Sequence, residues 1–267
     1  MSIAQSQPVG GLLREWRLRR RMSQLDLAAE AEISSKHLSF LETGRSQPSR
    51  DMLLHLADRL AIPLRERNIL LIAAGYAPIF RERSLEDPDL GAARKAVELV
   101  LAGHEPFPAL AVDRHWTLIA ANHAIPPLLA GVDEALVRPP INVLRLSLHP
   151  GGLAPRIANL PAWRAHLLAR LRHQIELTAD PALAELLREL GRYPVPGARP
   201  HPHAERDYAG VVVPFQLITD RGLLSFFSTT TVFGTPIDIT LSEIALESFF
   251  PADAATAAAV RAIADGQ

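Results

Sequence analysis

Ser23-Gln24-Leu25-Asp26-Leu27-Ala28-Ala29-Glu30-Ala31-Glu32-Ile33-Ser34-Ser35-Lys36-His37-Leu38-Ser39-Phe40-Leu41-Glu42 carries the punctuation of two short helices joined by a tight turn. Ser23 is an N-cap residue for a helix running from Gln24 to about Ala31, and Asp26 in its first turn complements the helix dipole. A break at Glu32-Ile33 follows. Ser34 then caps a second helix that ends near Glu42, with Thr43-Gly44 as its stop. Two helices that cross steeply need a small residue where they touch, and Ala28 supplies it. Ile33, Leu38 and Leu41 fill the wedge between them, which is helix-turn-helix spacing. Ser35, Lys36 and Ser39 fall on the outer face of the second helix, the face such a helix presents to base edges in a major groove.

The flanking sequence continues the helical pattern. Upstream, Leu12, Leu13 and Trp16 share one helical face, with Arg14, Arg17, Arg19, Arg20 and Arg21 around the rest of the same turns. Downstream, Pro48-Ser49 punctuates before a helix from Arg50 to about Leu60, and Ala61-Ile62-Pro63 breaks again before a fifth helix from Leu64 to Ala74. Residues 1–83 hold 13 Lys and Arg against 9 Asp and Glu, while the whole chain is at net −1. A basic module therefore adjoins an acidic one, as suits binding to a polyanion.

Beyond Gly75 the pattern changes. The Pro- and charge-bearing stretch from Ala77 to Gly91 reads as a linker, giving a helical domain at 1–78, a linker at 79–91 and a second domain at 92–267. Ala109–Val112 and Trp116–Ala120 form an expected hairpin around Asp113-Arg114. Helical stretches are expected near Asn122–Ala130, Trp163–Thr178 and Pro181–Gly191. Pro194–His203 is a proline-rich loop, and Ala252–Ala264 is an alanine-rich closing helix. Val211, Val213, Phe215 and Leu217 alternate as a strand. Asp220-Arg221-Gly222 is a three-residue hairpin loop, and Leu223–Phe233 returns. Two hairpins flanking helices make an α+β domain with an antiparallel sheet.

The motif carries a wider likeness. Gln24, Leu27-Ala28 and the run Leu38-Ser39-Phe40-Leu41-Glu42-Thr43-Gly44-Arg45-Ser46-Gln47-Pro48-Ser49 resemble the xenobiotic-response-element (XRE) class of helix-turn-helix transcriptional regulators, relatives of the phage repressors. The resemblance implies a lambda-repressor-like five-helix domain that binds double-stranded operator DNA; because one helix-turn-helix reads only a few base pairs, a homodimer on DNA is expected. The resemblance also implies phosphate contacts from Gln24 and Arg45, to which we add His37. One departure is Glu32, at a turn position where glycine is usual. Pro63–Pro78, Asn142–Ala154 and Leu223–Pro236 are similar to regulators with an MmyB-like ligand-binding domain. That likeness implies a PAS-like sensor fold enclosing an apolar cavity.

Within such a domain, the expected ligand-binding residues are Leu144, Leu148, His149, Trp163, Arg164, Leu167, Phe215, Phe226 and Thr230. The expected guest is long and mostly aliphatic, such as a fatty acid, with its polar end near His149, Arg164 or Thr230. No cofactor, metal or catalytic residue is assigned. The chain has no cysteine, and GxGxxG, GxxxxGK[ST], GxSxG and HExxH patterns do not occur. His166 and His173 stand two helical turns apart, and His201 and His203 with Asp207 are read as solvated loop residues. Arg164 with Arg170, and Arg188 with Arg192, are candidates for an anion pocket, against the more ordinary reading as solvated faces or salt-bridge partners. The start of the chain has no signal-peptide pattern and no apolar run is membrane-length, so a cytoplasmic protein is expected. The alternative reading of the same features is a helix-turn-helix protein-interaction module joined to a catalytic or purely dimerising α+β domain. Protection of a short palindromic DNA separates the two.

Overall fold

The computed structural model describes residues 8–195 and 212–266. His201, His203, Asp207, Val211 and most of the proline-rich loop lie outside the described residues. The chain divides into two compact units, the first running to Arg83 and including the short segments Glu176–Ala179 and Ile237–Ile239.

The first unit is built of α1 (Val9–Arg19), α2 (Gln24–Glu30), α3 (Ser35–Glu42), α4 (Arg50–Arg59) and α5 (Leu64–Ala73). The starts of α2, α3 and α4 are set by side chains, while α1 and α5 follow Pro8 and Pro63 with no side-chain cap. The Ser23 hydroxyl accepts from Asp26 N while the Asp26 carboxylate accepts from Ser23 N, a reciprocal capping box. Ser34 and Ser49 accept from His37 N and Met52 N at the starts of α3 and α4. In the α2–α3 turn Glu32 adopts φ +54°, and Ile33 N donates to Ala28 O at 3.0 Å. The usual turn geometry thus persists with a residue for which the left-handed region is strained. Leu13, Leu27, Leu38, Leu41, Leu56 and Leu70 fill the unit's apolar core. Gly10 lets α1 approach α3 closely, since a Cβ there would lie 2.3 Å from Leu41 O.

The remaining elements, which lie wholly or mostly in the second unit, are α6 (Gly91–Gly103), β1 (Ala109–Val112), β2 (Leu118–Ala121), α7 (Ile125–Leu128), α8 (Val143–Leu148), α9 (Leu160–Thr178), α10 (Pro181–Gly191), β3 (Phe215–Thr219), β4 (Gly222–Val232), α11 (Ile239–Ser242), β5 (Ala245–Pro251) and α12 (Ala254–Ala264). The five strands form one antiparallel sheet in the order β2-β1-β5-β4-β3. β5 sits at its centre and joins the two hairpins, and the sequence reading contains no strand there. Leu246, Glu247 and Ser248 are all buried, so the alternation that marks a half-exposed strand is lost.

Of the boundaries that differ from expectation, three have a local cause. β2 begins at Leu118 because Trp116 turns to φ +66°. β3 begins at Phe215, after Pro214, which has no N–H for a ladder. The β3–β4 turn has two central residues, Asp220 and Arg221, since Thr219 pairs with Gly222 at φ +103°. One sheet face packs Leu110, Val112, Phe215, Leu217, Leu224 and Phe226 against helices carrying Leu144, Trp163, Leu167 and Leu186. On the other face Ala109, Ala111 and Leu246 meet Val97 and Leu101 of α6. No helix among the described residues is long and apolar enough to cross a membrane.

Candidate functional site

In the first unit the candidate surface is the outer face of α3. At about 100° per residue, the direction opposite the buried Leu38, Leu41 and Glu42 is taken by Lys36, Phe40 and Thr43. Ser39 lies to one side of that line and His37 to the other. Lys36 and Ser35 are exposed, and Ser39 and His37 are half-buried. Phe40, also half-buried, is absent from the expected set, because in a hydrophobic period a phenylalanine reads as core. Its place four residues after Lys36 is the signal that finds it. Its ring lies 5.7 Å from Lys36 Nζ and 5.8 Å from Arg45 Cζ, so two cations flank one aromatic at the centre of the face.

Behind that face a polar network ties three helices together. Arg17 on α1 donates from Nε and Nη2 to the two Glu42 carboxylate oxygens, at 2.6 and 2.8 Å. Their side chains are only 7% and 1% exposed. The third Arg17 nitrogen, Nη1, donates to Met22 O, and Gln24 Nε2 at the start of α2 donates to Glu42 Oε2 at 2.7 Å. Burial alone would raise the Glu42 pKa. The hydrogen bonds from Arg17 and Gln24, with the Arg17 charge, hold it below the ordinary glutamate value, and the Glu42 hydrogen bond raises that of Arg17. The side chains of α3 are therefore presented from a rigid base, and Gln24 is oriented by Glu42.

In the second unit an apolar cavity of about 100 Å³ lies between the sheet and its covering helices. Leu144, Trp163, Leu167, Phe215 and Phe226, all expected ligand residues, line it. The other four are placed elsewhere. Leu148 belongs to the surrounding core. His149 accepts from Gly151 N through Nδ1 and meets the Tyr193 ring edge-on at 5.1 Å. Arg164 donates to the Leu190 and Gly191 carbonyls at the end of α10. Thr230 lines a neighbouring, more polar cleft with His166 and Arg170.

The polar groups that reach the cavity are Ser147, Arg170 and Glu247. Ser147 Oγ accepts from Trp163 Nε1 at 3.0 Å. Arg170 Nη2 and Nη1 donate to the Glu247 carboxylate at 2.6 and 3.2 Å, and the Glu247 side chain is 5% exposed. Of the two ordinary readings of Arg170, solvated face or salt-bridge partner, the structure shows the second, with α9 laying the side chain across β5. Glu247 was missed because no strand was placed at β5.

Comparison with protein-family models matches residues 8–70 to a helix-turn-helix domain and residues 93–263 to the MmyB-like transcription regulator ligand binding domain. No curated protein matches the chain.

Proposed function

The chain belongs to the family of MmyB-like transcription regulators with a ligand-binding domain, and from that premise we propose that it binds a short palindromic operator through α3 and senses a small apolar molecule in the cavity of its second unit. The first half rests on the Lys36–Phe40–Arg45 face, held outward by the Arg17–Glu42–Gln24 network. In this reading Ser35, Lys36 and Ser39 read base edges, and Phe40 offers its ring to a thymine methyl group. Gln24, His37 and Arg45 hold phosphates, Gln24 with the amide hydrogen that Glu42 leaves over. One such helix reads few base pairs, so a homodimer is implied, with half-sites about one DNA turn apart. We read the five-stranded sheet with its helices as the PAS-like sensor of the XRE-type regulator.

The apolar lining supports a guest with an aliphatic chain, of the kind a fatty acid carries. The cavity of about 100 Å³ is of the order of dry cavities that take a single ring. It therefore suits a short chain, and a long one must part the surrounding side chains.

Selection of bound sequences from a random DNA pool, followed by nuclease protection, tests the DNA reading. A protected palindrome with half-sites one turn apart is the expected result. Lys36→Ala should alter sequence preference and cost about 1–3 kcal/mol at its base pair. Arg45→Ala should weaken all sequences alike and flatten the salt dependence. Equal effects of both variants on selected and random DNA would refute this orientation of α3.

A further inference from the structure

The apolar cavity ends on two charges that cancel. Arg170 and Glu247 both line it, and their pairing is bidentate. Thr230 Oγ1 adds two more bonds, donating to Glu247 Oε1 at 2.8 Å and accepting from Arg170 Nη2 at 3.0 Å. The guanidinium also lies 4.9 Å from the ring of Trp116, another lining residue. His166 stands beside the pair, stacked on Trp163 at 5.5 Å. Burial, and then the Arg170 charge, hold its pKa below the ordinary histidine value. It is thus neutral at neutral pH and adds no countercharge.

Resting on the ligand reading above, we propose that the Arg170–Glu247 pair makes the cavity selective for uncharged head groups. It takes an apolar chain or ring ending in a hydroxyl, carbonyl or ester, and it rejects the carboxylate of the same chain. The guanidinium fork matches a carboxylate bidentately, and Glu247 already fills that fork. A ligand carboxylate would carry a second negative charge into a mostly apolar space where one guanidinium answers for both. Burying a charge without a partner is strongly disfavoured. A hydroxyl or carbonyl brings no net charge, and the guanidinium has more N–H groups than its present bonds use. Glu247 is in this sense a specificity-determining residue, and the fatty acid first expected gives way to its neutral relatives.

The test is a titration of the full-length protein at neutral pH with 1-octanol, octanoate and octylamine. Calorimetry and quenching of tryptophan fluorescence, from Trp116 and Trp163 in the lining, both read binding. Octanol should bind at least about tenfold more tightly than either charged relative. In Glu247→Gln, which keeps the shape and removes the charge, octanoate should gain at least about tenfold, because Arg170 is left unanswered, while octylamine gains nothing. Octanoate binding the natural protein as tightly as octanol, or a ranking unmoved by the substitution, would overturn the proposal. The ranking on the natural protein decides alone if the variant does not fold. Binding of none of the three would instead overturn the ligand reading, and this inference with it.

Discussion

Glu32 is the residue at which local strain is most plainly measurable. Its φ of +54° costs a side-chain-bearing residue about 1–2 kcal/mol, while glycine there would lose about 0.5–1 kcal/mol more backbone entropy on folding. Glu32→Gly should therefore stabilise the first unit by a net of about 0.5–1 kcal/mol, seen as a higher urea midpoint. A lowered midpoint would mean that the turn carries no strain. Glu42 sets the acid behaviour. Its folded pKa lies below the unfolded value, so its contribution is complete above the unfolded pKa and is lost as pH falls through the folded one. Glu42→Gln leaves Arg17 buried without its partner and should cost about 3–5 kcal/mol at neutral pH. That cost should shrink steadily in acid melts, and a pH-independent cost would contradict the ion-pair account.

Among the elements, α1 and α3 cross where Gly10 faces the Leu41 and Glu42 carbonyls. A methyl group there must push backbone aside, so Gly10→Ala should destabilise by about 1–3 kcal/mol. A thermal melt with no shift would show that the helices are not in that close contact. Three helices of the first unit were legible because each start is written in one capping side chain: Ser23, Ser34 and Ser49 each precede their helix and bond its third residue, while α1 and α5 simply follow Pro8 and Pro63. The strands were less so. Trp116 looked like strand until its positive φ placed it in the turn. β5 was invisible because a central strand with neighbours on both sides and cover on both faces buries Leu246, Glu247 and Ser248 together, leaving no alternation to read.

For the whole molecule, the consequence of joining a DNA-binding unit to a ligand-binding one is thermodynamic. If ligand shifts operator affinity, operator must shift ligand affinity by the same factor, typically about 5–150-fold. Calorimetric titration of the cavity ligand with and without operator, beside operator titration with and without ligand, should give two equal factors. Two factors of one, each ligand binding as though the other were absent, would show that the cavity does not regulate DNA binding.

What the sequence determined by itself was the part whose causes are local. Capping serines, a turn between apolar wedges and the basic balance of the first 83 residues set the helix-turn-helix unit and most of its outer face. The resemblance extended this to a ligand-binding domain with an apolar cavity, and five of its lining residues were among the apolar core positions named for it. Tertiary structure alone decided the rest. Phe40 belongs to the outer face only because the other face of α3 is occupied by Leu38, Leu41 and Glu42. Arg170 and Glu247 stand 77 residues apart on α9 and β5, and no spacing rule joins them. Their encounter depends on β5 entering between β1 and β4, a pairing whose hydrogen bonds run between distant segments and leave no periodic mark on either.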